Sequence, residues 1–331
     1  MRIQIVTGAP HGAPFRLRMA PVARWLGELG HKVDVHVRPR DGFASRDVDA
    51  IEREADSIII HRRLLEPREA HRFAAAGKPI HLDLDDAIMF DAEKRSWLSL
   101  WKRQRRLAAT ADVLTSVVAG NDYLLEFFKS RGVDGVISPT SVEPSDYIVK
   151  HHAQTATPTL VWIGSSSTMK YLEQALPALD AASQKVPGLR LLTICDRQLR
   201  SAAISVEHVE WSLKTEAESL NRADIGIAPL PEDRWTLGKC AFKIVQYLAT
   251  GLPVIASPVG AQRQMIVDNG LLAETPGQWV AAIVRLARDE QLRARMGAAS
   301  RAIGERSYSL RAVCEVWRRV LSLDHFSETA R

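Results

Sequence analysis

The sequence predicts an α/β protein made of two successive parallel sheets of similar size. Three observations lead there. The chain has 331 residues, more than one hydrophobic core usually organises. Short apolar runs alternate with amphipathic helical patterns, the signature of strands joined by crossover helices. The alternation is broken once, by the turn-rich segment 138–158 with three prolines, and then restarts.

In the first half, Ile3–Thr7 reads as a strand and Met19–Leu29 as an amphipathic helix stopped by Gly30. Lys32–Val37, Ser57–His61 and Pro79–Leu84 follow as strands, and Val113–Val118 and Val136–Ser138 continue the series. After the break, Thr159–Ile163 is a strand, Tyr171–Val186 a helix and Leu189–Cys195 a strand. His208–Trp211, Ile225–Ala228 and Pro253–Ser257 are further strands, with Phe242–Thr250 a helix between the last two. From Gln278 onward the pattern is one of basic amphipathic helices. The expected division is a domain over 1–150 and another over 158–309, with a terminal helix at about 310–331 packing back on the first. Ligands of such sheets bind beyond the carboxyl ends of the strands, so the loops after strands should hold the chemistry.

Composition narrows the class. Hydrophobic residues are 46% and charged residues 25% of the chain, as in an ordinary globular protein. The three cysteines, Cys195, Cys240 and Cys314, have neither metal-ligand spacing nor a complete disulfide pairing, which fits a reducing cytoplasm. MRIQIVTGAP reads as a first strand rather than a signal peptide, and no segment approaches the roughly 20 apolar residues of a spanning helix. Lys plus Arg outnumber Asp plus Glu by 44 to 39. That mild excess suits an acidic small molecule, an anionic membrane or a nucleic acid.

The densest chemistry lies in Asp224–Gly260, DIGIAPLPEDRWTLGKCAFKIVQYLATGLPVIASPVG. A buried strand opens into a loop with two prolines, two acids and a tryptophan, and Gly238 precedes a helix with Lys239 and Lys243 near its start. Lysines at i and i+4 share a helical face, and beside a positive dipole end they favour an anion such as phosphate. Two solvated surface lysines are the competing reading. A P-loop is excluded by spacing.

This stretch resembles the group 1 glycosyltransferases, the retaining GT-B superfamily, and is similar to a bacterial branch with a G-K-C-x-F-K-x-x-Q-Y run. The resemblance implies two Rossmann-like domains facing each other across a cleft. It implies that Lys239 and Lys243 face a donor diphosphate and that Gln246 stands where a glutamate usually binds the ribose. Neither glutamate of the family's E-x7-E signature is present, and Asp233 is the nearest acid for the sugar side. A second match is the loop Gly164-Ser165-Ser166-Ser167-Thr168 after a strand, rich in N–H and O–H donors, which in the family approaches the donor phosphates. Trp211 falls where such enzymes hold the base, although a core role suits it equally.

The amino-terminal half is then expected to take the acceptor. The loop Thr7–Arg18 carries Gly12, Arg16 and Arg18 and is expected across the cleft near the transferred sugar; it lacks G-x-G-x-x-G. In HLDLDDAIMF, Asp83, Asp85 and Asp86 crowd the end of a strand, and like charges there need a purpose or a cation. We expect them to orient the acceptor or polarise its hydroxyl; helix capping and a Mg²⁺ site are the rivals. Finally, Lys94–Leu107 mixes six basic residues with two tryptophans and three leucines. Trp97 and Trp101 packed inward under a basic face is the first expectation, and contact with anionic lipid the second.

The reading is therefore a glycosyltransferase of hexosyltransferase type, moving sugar from a UDP- or GDP-sugar to a hydroxyl of a glycan or lipid-linked acceptor. The resemblance implies retention, no obligatory cofactor and no metal. The expected place is the cytoplasm, at the inner face of the cytoplasmic membrane, in polysaccharide biosynthesis. A sugar-nucleotide epimerase and a non-catalytic sugar-nucleotide or glycan-binding module are the alternatives; no nucleic acid is expected.

Overall fold

The computed structural model describes residues 1–39, 42–90, 97–155 and 157–323. The chain divides into two compact units. Unit 1 comprises 1–141, the short segment 233–240 and the chain from Leu310; unit 2 comprises 142–232 and 241–309.

Unit 1 alternates strand and helix: β1 (Arg2–Thr7), α1 (Ala20–Glu28), β2 (Lys32–Val37), α2 (Ser45–Glu54), β3 (Ser57–His61), α3 (Pro67–Ala75), β4 (Ile80–Leu84), α4 (Trp97–Ala111), β5 (Ser116–Ala119), α5 (Asp122–Lys129) and β6 (Gly135–Ile137). The six strands pair in parallel in the order β2-β1-β3-β4-β5-β6. Every residue of β3 and β4 is buried, because helices cover both faces of a parallel sheet. Side-chain alternation sends Val6 to one core with Ile58, Ile60 and Leu82, and Ile3, Ile5 and Ile59 to the other. The fifth strand starts at Ser116 rather than Val113: the N–H groups of Val113 and Leu114 finish the preceding helix on the carbonyls of Thr110 and Ala111.

Unit 2 repeats the plan with β7 (Thr159–Ile163), α6 (Ser166–Lys185), β8 (Arg190–Cys195), β9 (Ser205–Glu210), α7 (Glu216–Asn221), β10 (Ile225–Ala228), α8 (Phe242–Thr250), β11 (Val254–Ala256), α9 (Ala261–Met265), β12 (Gly270–Leu272), α10 (Pro276–Arg288) and α11 (Glu290–Ser307). Its parallel order is β12-β11-β10-β7-β8-β9. Leu160, Trp162, Leu191 and Ile225 point into one core, Val161, Ile163, Leu192 and Ile194 into the other. Tyr247 of α8 lies flat on Gly226, where an added Cβ would come within 2.5 Å of the ring. The Tyr247 hydroxyl meets the N–H of Ile163 at 3.2 Å and the carbonyl of Ile227 at 3.1 Å, binding the helix to two strands.

The chain ends its described course with α12 (Leu310–Val320), whose Val313, Cys314 and Trp317 are buried. Val313 and Trp317 join Ile3, Ile5, Met19 and Val22 in one core of unit 1. No helix among the described residues is long and apolar enough to cross a membrane.

Two outcomes follow from burial. Trp317→Ala should destabilise unit 1 by about 3–5 kcal/mol, read as a lowered urea midpoint. His81, buried in β4 with Nδ1 2.8 Å from Ser116 Oγ, has its pKa pushed down by burial to about 4. The folded chain therefore refuses a proton that the unfolded chain accepts near pH 6.5, so this site's contribution is lost as pH falls from about 6.5 to 4. The slope from one such site is at most about 1.4 kcal/mol per pH unit, and His81→Gln should flatten that limb of the stability curve.

Candidate active site

In unit 1 the carboxyl ends of β3, β4 and β5 carry the charged groups. Asp83 is wholly buried. It takes Arg18 Nε at 2.9 Å on both oxygens and His61 Nδ1 at 2.8 Å. Arg18 also donates to the carbonyls of Ser138 at 2.7 Å and Val118 at 3.3 Å. Burial alone would raise the Asp83 carboxyl; the Arg18 charge and the His61 hydrogen bond outweigh it, and the pKa ends below its ordinary value. This corrects two expectations at once. Arg18 is no cleft-loop residue and Asp83 has no surface to offer a substrate, because each needs the other to be buried.

Asp85 and Asp86 follow β4 and remain partly accessible. Arg62 bridges them, Nη1 lying 3.1 Å from Asp85 and Nη2 3.0 Å from Asp86. Lys239 approaches Asp86 at 3.8 Å and stacks over Trp235 at 5.4 Å. Burial raises the Asp86 pKa, only partly opposed by Lys239 and Arg62. Arg62 itself has φ +53°, a left-handed conformation that a non-glycine residue holds only where its surroundings impose it. Neither carboxylate caps a described helix, and among the described residues no three His, Cys, Asp or Glu side chains converge as a metal site.

The segment 233–240 is fastened within unit 1. Asn121 caps α5 through Leu124 N–H at 2.9 Å, and its amide donates to the carbonyls of Leu237 at 3.3 Å and Lys239 at 3.1 Å. Gly238 lies against Ala87, where a Cβ would come within 2.5 Å of the Ala87 methyl. Asp233 caps the turn Thr236–Gly238, accepting from Trp235 and Thr236 N–H at 2.8 and 2.7 Å. The expectation that Lys239 and Lys243 share a helical face fails. Ala241 is left-handed at φ +51° and α8 begins at Phe242, so Lys239 precedes the helix in extended backbone. Gly12 and Arg16 belong to the turn before α1, where the Arg16 N–H donates to the Gly12 carbonyl at 3.0 Å.

In unit 2 the loop after β7 and the start of α8 converge on Trp162. Lys243 Nζ lies 5.0 Å from the Trp162 ring, and a Cβ at Gly164 would come within 2.6 Å of the same ring. Ser165 and Thr168 form the capping box of α6. The Ser166 N–H and hydroxyl both donate to Asp196, at 2.6 and 2.8 Å, so a carboxylate from the end of β8 sits where an anion would be drawn to the helix start. Those hydrogen bonds hold the Asp196 pKa below its ordinary value.

Gln246 is buried, its amide donating to Glu216 at 3.2 Å. Glu216 also accepts from the Tyr147 hydroxyl at 3.0 Å and from Trp211 Nε1 at 2.8 Å. Trp211 is thereby half exposed and polar-anchored rather than a core residue. Arg62, Asn121, Asp196 and Glu216 all escaped the sequence reading. Each stands just beyond or near a strand end, but none lies in a motif, and only tertiary pairing reveals them.

Residues 157–289 match the model of the family described as glycosyl transferases group 1. The matched segment lies mostly in unit 2. Solved structures share the fold over nearly the whole chain. A sucrose-phosphate synthase from Thermosynechococcus elongatus superposes with a TM-score of 0.66 at 12% identity, covering 99% of this chain and 100% of that one. Anabaena HepE, solved with UDP, gives a TM-score of 0.69 at 15% identity, covering 98% and 100%. A UDP-N-acetylglucosamine 2-epimerase assigned in Listeria monocytogenes gives 0.61 at 12% identity, covering 100% and 98%. No curated protein sequence matches significantly. The fold is thus GT-B, with two Rossmann-like domains.

The buried pair gives a further outcome. The Asp83 contribution is present above the unfolded carboxylate value near 4 and is lost as pH falls through the lower folded value. Asp83→Asn should cost about 3–5 kcal/mol at neutral pH by leaving Arg18 uncompensated. The gap between variant and wild type should narrow below about pH 4, measured by urea unfolding.

Proposed function

We propose that this protein is a glycosyltransferase that moves a sugar from a nucleoside diphosphate sugar to a hydroxyl of a glycan or lipid-linked acceptor, with retention and without an obligatory metal. The observation that carries the reading is in unit 2. The family match spans both the Gly164–Thr168 loop and α8 with Lys243, and these two elements meet at Trp162. The donor diphosphate would lie there, its developing charge met by Lys243 and the N-terminal dipole of α8, with the Gly164–Thr168 loop, held by its own capping box and by Asp196, as the wall beside it. Gln246, oriented by Glu216, would face the ribose with Trp211 near the base. Uridine is the base to test first, since Anabaena HepE is solved with UDP and with UDP-glucose.

On the acceptor side we assign Asp85 and Asp86, poised by Arg62 and Lys239, to orienting the hydroxyl; the raised pKa of Asp86 suits a group that shares a proton. Asp83 and Arg18 act beneath them as positioning residues. Asp233 and Gly238 shape the loop that carries Lys239. Contact with the inner face of an anionic membrane through α4 belongs to the same reading. It begins at Trp97; Lys94 to Ser96 of the basic stretch lie outside the described residues.

The likeness to the Listeria protein favours one alternative, epimerisation of the donor itself, which would yield an isomeric product with no acceptor. Thermal shift against UDP, GDP, ADP and TDP, with and without Mg²⁺, tests the reading. One diphosphate should stabilise the protein, by about 2.7 kcal/mol at a hundredfold excess over Kd. Lys243→Ala should weaken it roughly 10- to 100-fold. Asp85→Asn with Asp86→Asn should lower acceptor-dependent turnover while nucleotide affinity stays. Silence of the whole panel, or an unaffected Lys243→Ala, sinks the donor assignment.

A further inference from the structure

Unit 1 carries a groove of about 710 Å³ that the transfer chemistry leaves unused. It is bounded by the first turns of α2 and α3 and the middle of α4. Those first turns follow the carboxyl ends of β2 and β3, so the groove opens on the same rim of the sheet as Asp85 and Asp86.

Its charge is unbalanced. Five cations line it, Arg68, Arg72, Lys102, Arg105 and Arg106, against two carboxylates. Both carboxylates are already engaged: Glu69 by Arg38 and the Phe43 N–H, Glu66 by Arg106. Arg68, Lys102 and Arg105 have no carboxylate partner among the described residues. The N-terminus of α2, which has no side-chain cap, adds its positive end to the same space, while that of α3 is closed by the Glu66–Glu69 capping box. Such a concentration of positive charge is relieved by an anion.

The neighbouring surface says which kind. α4 contains no acidic residue from Trp97 to Ala111. Its inward face is Leu107 and Thr110. At helical spacing, Trp97, Trp101 and Arg105 with Leu98 and Lys102 fall on the opposite, outward side. Trp97 is 73% exposed, Trp101 and Leu98 50% each. The tryptophans expected to pack inward are thus directed outward, and Arg105 stacks on Trp101 at 4.7 Å. Aromatic side chains interleaved with cations on one open face match a lipid interface, where the rings enter the headgroup boundary and the cations meet phosphate.

We propose that the groove between α2, α3 and α4 binds the phosphate of an anionic phospholipid headgroup while Trp97, Leu98 and Trp101 enter the lipid layer. This rests on the membrane contact proposed above and is independent of the transfer reaction. The test is co-sedimentation of the full chain with phosphatidylcholine vesicles and with vesicles containing about one third phosphatidylglycerol, at roughly 0.15 M salt. Wild type should bind only the anionic vesicles, and Trp97→Ala with Trp101→Ala should release it.

Arg68→Gln with Lys102→Gln should lower the partition coefficient at least 20-fold, since each interfacial cation is worth about fivefold. The control Lys78→Gln with Lys129→Gln, equal in charge and outside the groove, should change it less than twofold. Equal losses in the two doubles would mean diffuse attraction and overturn the groove site. Absence of wild-type binding to either vesicle would overturn the membrane contact as well. Inorganic phosphate bound in calorimetry by a chain that no vesicle retains would assign the groove to a soluble anion and overturn the lipid. The UDP-dependent thermal shift, measured on every variant, reports folding and separates any of these failures from failure of the transferase reading.

Discussion

A buried carboxylate at the centre of a parallel sheet is the constraint on which unit 1 is organised. Asp83 lies on β4 with no exposure, and ionisation there is tolerable only with a full set of partners. Arg18 provides a guanidinium fork, and its remaining donors reach the carbonyls of Val118 and Ser138. His61 completes the set from β3. One side chain pair thereby joins the turn before α1 to β4, β5 and the end of β6. Arg62, Asp85 and Asp86 follow the ends of those strands as a charged rim joined by ion pairs.

The second organising feature is the path of the chain through residues 233–240. This segment leaves β10 of unit 2, is fastened in unit 1 by Asn121, Gly238 and the buried Cys240, and returns through a left-handed Ala241 into α8. The two lysines of one short motif therefore serve different units. Lys239 tempers the carboxylate rim, while Lys243 sits over Trp162 beside the Gly164 loop. A helix carrying both would have concentrated charge at one terminus. The strained turn distributes it, with Gly238 closed against Ala87 on one side of the turn and Gln246, further along α8, backed by the carboxylate of Glu216.

The sequence by itself determined the α/β class, the two successive parallel sheets and nearly every strand named from it, because hydrophobic periodicity and chain breaks are local properties. It also singled out the Gly164 loop, the α8 motif and the Asp83–Asp86 cluster as chemically dense. Tertiary structure alone decided what each charge does. Asp83 and Asp85 look alike in a D-x-D run, yet burial and Arg18 make the first structural while Arg62 holds the second at the rim. Trp97 and Trp101 look like core residues, yet the inward stripe of α4 is Leu107 and Thr110. Glu216 and Asp196 carry no motif; they matter through partners distant in sequence, Gln246 30 residues away and Ser166 likewise 30. Ion pairing, desolvation and helix-face orientation depend on which groups the fold brings together, and that information is not local to any stretch of the chain.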